Sequence, residues 1–126
     1  MNIEQFRNIC LSVKGAEETL PFDDDTPVYK VMDKMFAYFG LTPKDGRFVV
    51  SMKCDPDRSA ELREKYSGVN KPIHAGDTLK WNSIYLESDV PDRLIAELIH
   101  HSADQVVRNL PKYKQEAYKK LKPEQN

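Results

Sequence analysis

Three kinds of side chain in this 126-residue chain have the chemistry to make a site: three histidines, two cysteines, and lysines and arginines recurring along alternating segments. His74 sits in "KPIHAGD", a segment bounded by Pro and Gly, where an imidazole can act as a base near neutral pH. No Ser or Cys stands beside it in a nucleophile setting, so a solvated loop histidine is the favoured reading. Cys54 precedes Asp55-Pro56 at an expected helix start, a position that lowers a thiol pKa and makes a reactive thiol conceivable. A buried structural cysteine at a strand end is the commoner outcome. His100 and His101 are neighbours on a helix, about 100° apart around its axis. They do not form the one-faced i, i+4 pair of a helical metal site, and one of them is expected beside the apolar stripe with the other exposed. Glu17, Glu18 and Asp23, Asp24, Asp25 offer oxygen ligands to a hard cation, but such a run reads first as a solvated loop. The chain has no CxxC pair, phosphate loop or GxGxxG. No catalytic residue, metal or cofactor is therefore expected, and an enzyme built on His74 or Cys54 is the remote rival.

The cations are more informative than the nucleophiles because of where they fall. In "RFVVSMKC", Arg47, Val49, Ser51 and Lys53 alternate with Phe48, Val50 and Met52, the period of a strand with one dry face. In "VYKVM", Lys30 lies opposite Tyr29 and Val31. In "LKWNSIYL", Lys80, Asn82, Ile84 and Leu86 alternate with Leu79, Trp81, Ser83 and Tyr85. Burying the Trp81 side of that strand, the expected arrangement for a large ring, leaves Lys80 and Asn82 outward. Lys34 stands at the tight turn, expected at Asp33-Lys34, between the first two strands. The candidate binding set is thus Lys30, Lys34, Arg47, Lys53, Lys80 and Asn82, with Ser51 among them.

These residues need a scaffold, and the chain supplies one. Asn2 with Gln5 makes a capping box ahead of Ile3, Phe6, Cys10 and Val13, so a first helix is expected, closed by Gly15. "AEETLPFDDDTP" reads as loop. Three strands follow, the first two in a hairpin. Asp55 caps a short surface helix through Tyr66 with Pro56 in its first position. "SGVNKPIHAGD" reads as an irregular extended segment and "TLKWNSIYLE" as a strand. The main helix carries the stripe Ile95, Leu98, Ile99, Ser102, Val106 and Leu110, and Pro111 breaks it. In the basic tail, Tyr113, Ala117 and Leu121 form an expected docking seam. Sequential hairpins and few helices predict a single-domain α+β, two-layer sandwich: an antiparallel sheet with helices on one face.

Composition narrows the function classes. The net charge of −1 argues against a strongly basic nucleic-acid binder, but residues 44–81 carry eight Lys or Arg against six Asp or Glu, and a local basic face is compatible with that. No apolar run is long enough to span a membrane. The two cysteines do not make a disulfide framework, and the N-terminus lacks a signal-peptide core, which together suit a reduced, cytoplasmic protein.

Taken together, "LPFDDDTPVYKVMDKMFAYF", "KWNSIYL", "VPDRLIAELIHHS" and "LPK" resemble the MmcQ/YjbR family of small bacterial proteins, in the family's order and over nearly the whole chain. Two positions depart from the family's habit: Ala103 follows Ser102 where an aromatic is frequent, and Lys80 precedes the Trp where a His is frequent. The resemblance implies a CyaY-like (frataxin-like) α+β fold, and the acidic stretch makes iron worth naming on that account. It also implies DNA as a partner, gripped through a double-wing surface of β-hairpins. The expected function is a small non-enzymatic binding module, monomer or weak dimer, with a protein- or small-ligand-binding adaptor as the alternative.

Overall fold

Asn2 accepts a hydrogen bond from the Gln5 backbone N–H at 2.8 Å while the Gln5 side chain takes the Asn2 N–H at 2.9 Å, so the expected capping box opens the first helix. In this computed structural model, which describes residues 1–72 and 80–122, that helix is α1 (Ile3–Ser12). The order continues β1 (Glu17–Thr19), β2 (Val28–Val31), β3 (Lys34–Phe39), β4 (Val49–Lys53), α2 (Pro56–Lys65), β5 (Val69–Asn70), β6 (Trp81–Tyr85), α3 (Asp92–Arg108) and α4 (Lys112–Lys119). The six strands form one antiparallel sheet in the order β1-β2-β3-β4-β6-β5. Among the described residues the helices pack on one face of it, giving the expected two-layer α+β sandwich. No helix of the described residues is long and apolar enough to cross a membrane.

The core lies between that sheet face and α1 and α3. Phe6 and Cys10 from α1 and Ile95, Leu98 and Ile99 from α3 are buried against Tyr29, Val31, Phe39, Val50, Met52 and Ile84. Phe39 is the hub of the rings: edge-on to Phe6 at 6.1 Å and to Phe48 at 6.4 Å, and stacked with Tyr29 at 6.2 Å. The β2–β3 pairing shifts between Tyr29 and Lys30, leaving Phe36 without a residue opposite. Such a bulge sends Phe36 and its neighbour Ala37 both into the core, where both are fully buried.

Ser102 bridges β3 and β4 just beyond the end of their ladder. Its buried hydroxyl donates to the Phe36 carbonyl at 2.5 Å and accepts the Lys53 N–H at 2.8 Å. One side chain of α3 therefore satisfies one backbone group on each of β3 and β4 where the strands stop pairing. A polar residue on the apolar stripe of a helix is explained by this bond.

Several expectations are corrected. Residues 17–19, read as loop, form the edge strand β1, and Val69–Asn70 form a short strand. The β2–β3 turn sits at Met32-Asp33, one residue earlier than expected, with both residues at positive φ (49° and 66°). The α4 seam is Tyr118, Gln115 and Leu121 rather than Tyr113 and Ala117. Tyr118 donates to the Lys14 carbonyl at 2.8 Å, whereas Tyr113 is 72% exposed. The strand β6 is turned over. Asn82 and Ile84 face the helices, while Trp81, Ser83 and Tyr85 face away.

Candidate functional site

The inversion of β6 follows from polar chemistry. Asn82, only 2% exposed, donates to Ser59 Oγ at 2.9 Å and accepts from Arg63 Nε at 2.7 Å. Arg63 also donates to the Trp81 carbonyl at 2.9 Å. Residues Ser59 and Arg63 stand one turn apart on α2, so Asn82 is the peg that fixes α2 to the sheet. A buried amide with its partners supplied costs little, and the large ring opposite is left outward. Asn82 is therefore not on the helix-free face, which corrects its place in the expected binding set.

Cross-strand partners share a face, so the registers define the side away from the helices. Across β1 to β6 it carries Glu17 opposite Lys30, Lys30 opposite Met35, Val28 opposite Tyr38, Tyr38 opposite Ser51, Ser51 opposite Ser83, Lys53 opposite Trp81 and Val49 opposite Tyr85. Lys30 and Lys53 lie on this side as expected. Arg47, just before β4, lies over the Tyr85 ring with its guanidinium carbon 4.3 Å from the centroid. Lys34 is exposed at the first position of β3 beside the hairpin turn, paired with Val31, and borders a groove with Met35 and Lys53 against the end of α3. Lys80 is exposed, and its carbonyl accepts the Cys54 N–H at 2.7 Å. Lys30, Lys53 and Arg47 thus lie on the face, with Glu17 directly across from Lys30. Lys34 instead pairs with core-facing Val31, and Lys80 alternates with Trp81 on the inverted strand, so the registers put neither of them on the face, contrary to expectation.

Reading the strands by alternation alone missed the aromatic content of this side. Tyr38 and Trp81 meet with centroids 5.7 Å apart and planes tilted by 47°, and with Tyr85 they are half-buried rather than sealed. Beside Tyr38, Ser51 and Ser83 form the floor of a recess of about 330 Å³, walled by Tyr38, Val49, Thr42 and Lys44 and edged by Gly40. The polarity of "WNSIY" is the signal that could have found it: two small hydroxyl residues facing each other across a sheet leave a dip beside the Tyr38 ring.

The nucleophile candidates fare differently. Burial pushes the Cys54 thiol above its ordinary pKa, the opposite of what an activated thiolate needs, and Cys10 is buried and shifted the same way. Of the two adjacent histidines, His100 is exposed. His101 is partly buried, and its Nε2 accepts the Asp55 N–H at 3.1 Å. Burial, with Arg58 nearby, lowers the His101 pKa and keeps the acceptor nitrogen unprotonated. His74 lies outside the described residues, as does Leu79. Within the acidic stretch, Glu18 is an ion-pair partner: Arg7 holds it through Nε at 2.6 Å and Nη2 at 3.0 Å, and the Tyr29 hydroxyl donates to it at 2.6 Å. No group of three or more His, Cys, Asp or Glu among the described residues is placed to hold a metal ion.

Comparison with known proteins places this architecture. A family model described as YjbR matches residues 11–104. The chain belongs to the YjbR family. It is 31% identical over 114 residues to the uncharacterised protein YjbR of Escherichia coli K12, covering 90% of this chain and 94% of that one. It is 26% identical over 120 residues to the uncharacterised protein YbdF of Escherichia coli O157:H7, covering 95% and 93%. Among solved structures, a Deinococcus radiodurans protein of the DUF419 domain family superposes with a TM-score of 0.83 at 29% identity, over 94% of this chain and 88% of that one. A Pseudomonas syringae protein gives a TM-score of 0.69 at 21% identity, over 83% and 98%, a likeness of fold. The YjbR membership, the α+β sandwich and the sheet with one helix-covered face agree with one another.

Proposed function

We propose that this YjbR-family protein is a small non-enzymatic binding module whose helix-free sheet face takes nucleic acid. One observation carries the reading: Arg47, Lys53 and Lys30 share that face with Tyr38, Trp81 and Tyr85 on a molecule whose net charge is −1. Cations alone are ordinary on exposed strands, and the interleaving with half-buried rings is what favours a nucleic-acid ligand. The cations bind phosphate, and the rings present apolar faces beside them. The β2–β3 hairpin, with Lys34 beside its turn, is the element that would serve as a wing.

Labelled single-stranded and duplex oligonucleotides titrated at low and moderate salt test this. Binding at low salt that is lost when Lys30, Arg47 and Lys53 are neutralised together is the expected result. Absence of binding to either form, or affinity indifferent to the triple substitution, would refute it.

A protein-binding adaptor is the second reading, favoured by one specific feature. Leu20, Phe22 and Leu41 are 53%, 70% and 49% exposed. The Leu41 N–H donates to the Asp25 carbonyl at 2.8 Å, which ties together the two loops that carry these side chains. On that reading a Phe22→Asp substitution disrupts a partner association that survives nuclease treatment.

A further inference from the structure

We infer that the recess beside Tyr38 is a nucleobase pocket and that the ligand of the sheet face is single-stranded, a step that rests on the nucleic-acid reading above. The geometry of β4 sets the scale. Arg47, Val49, Ser51 and Lys53 lie on one side of the chain, so the two cations are separated by about 20 Å at the rise of an extended strand. The recess opens between them. A strand of stacked nucleotides, at about 3.4 Å each, covers that length with about six residues. Phosphates meet cations at both ends, and one base reaches the middle.

The recess has the shape and chemistry for a base and not for a duplex. Its volume is about 330 Å³, with the Tyr38 ring as one wall, serine at the floor and Lys44 at the mouth. A flat heterocycle inserted there stacks on Tyr38, and its polar edge meets the Ser51 hydroxyl. A base held in a Watson–Crick pair cannot enter, because its partner and its stacked neighbours hold it in the helix. Single strands present their bases free, which is why aromatic-bearing sheet faces suit them. Arg47, stacked on Tyr85, keeps its guanidinium oriented while leaving N–H groups for phosphate.

Gly40 provides a test that spares the fold. It edges the recess, and a Cβ added to it meets no atom within 4 Å. A Gly40→Leu substitution therefore adds a bulky side chain at the edge of the recess without displacing core. The probes are a fluorescein-labelled 12-mer oligothymidylate and a 12-base-pair duplex, followed by anisotropy at low salt, with thermal melting as the check on folding. Wild-type protein is expected to bind the single strand at least tenfold more tightly than the duplex. The Gly40→Leu protein is expected to lose about tenfold in single-strand affinity, the size of one stacked base, with its melting and its duplex affinity unchanged. Duplex affinity equal to or above that for the single strand, or a Gly40→Leu protein whose single-strand affinity stays within twofold of wild type, overturns the pocket while leaving the broader nucleic-acid reading intact. Failure of the wild type to bind either probe overturns both.

Discussion

Glu18 shows how one side chain joins charge to the core. Arg7 lowers its pKa first, through a charge-assisted hydrogen bond, and the Tyr29 hydroxyl adds to the effect. A carboxylate whose folded pKa lies below its unfolded value contributes stability that is fully present above the unfolded value and is lost as pH falls through the folded one. Glu18→Gln is therefore expected to destabilise the protein at neutral pH. The difference from wild type should begin to shrink in urea melts taken below about pH 4, the unfolded value, and vanish only once pH has fallen through the lower folded value and the native carboxylate is itself protonated. A difference independent of pH would show that the pair contributes geometry and not charge. Ser102 makes a simpler case. Ser102→Ala leaves the Lys53 N–H and the Phe36 carbonyl buried without their bond, and is expected to cost about 1–3 kcal/mol, read as a shift in denaturant midpoint with the slope unchanged.

At the scale of elements, the β2–β3 turn is built from residues that do not favour it. A two-residue hairpin loop with both φ values positive is the type that matches strand twist, and it prefers Asn-Gly; here Met32 and Asp33 occupy it. Asp33→Gly is expected to raise stability by about 1 kcal/mol, read from chemical denaturation, because the left-handed cost is relieved. That turn also shows where reading the sequence stops. The strands flanking it were visible in their alternation, and the caps at Asn2 and Asp55 were legible because a cap is local chemistry. The exact turn position was not, since neither Asp33-Lys34 nor Met32-Asp33 carries a turn signature. The direction of β6 was misread for a deeper reason. Ring size argued for burying Trp81, but the deciding contacts come from Ser59 and Arg63, about twenty residues away in sequence. Long-range satisfaction of one amide outweighed the local hydrophobic pattern. The edge strand β1 was hidden by its charged residues: Glu18 uses its charge on Arg7 while its backbone pairs with Tyr29.

For the whole molecule, what decides behaviour is uneven distribution under a near-zero net charge. Lys30, Arg47 and Lys53 face one way, and four acidic residues against one arginine mark residues 82–103, which enter α3 on the other side. A single strand that exchanges about three counterions for these cations should lose about 20-fold in affinity between about 50 and about 200 mM salt. A much flatter dependence would mean that the rings, and not the cations, dominate. Thr19, Val28, Tyr38, Ser51 and Ser83 cross the sheet in one row from β1 to β6, with Val28, Ser51 and Ser83 buried, so the half-buried Tyr38 is the large side chain of that row within a ligand's reach.

The outward placement of the lone indole carries a practical consequence. Trp81 sits beside Tyr38 and away from the packed interior formed by Phe6, Phe39 and Ile99. Its emission will register events at the sheet surface, such as quenching by a stacked heterocycle, while remaining a poor gauge of whether the interior has melted. Loss of helical circular dichroism and change in indole emission should for that reason follow separate courses when a bound strand is displaced before the chain unfolds.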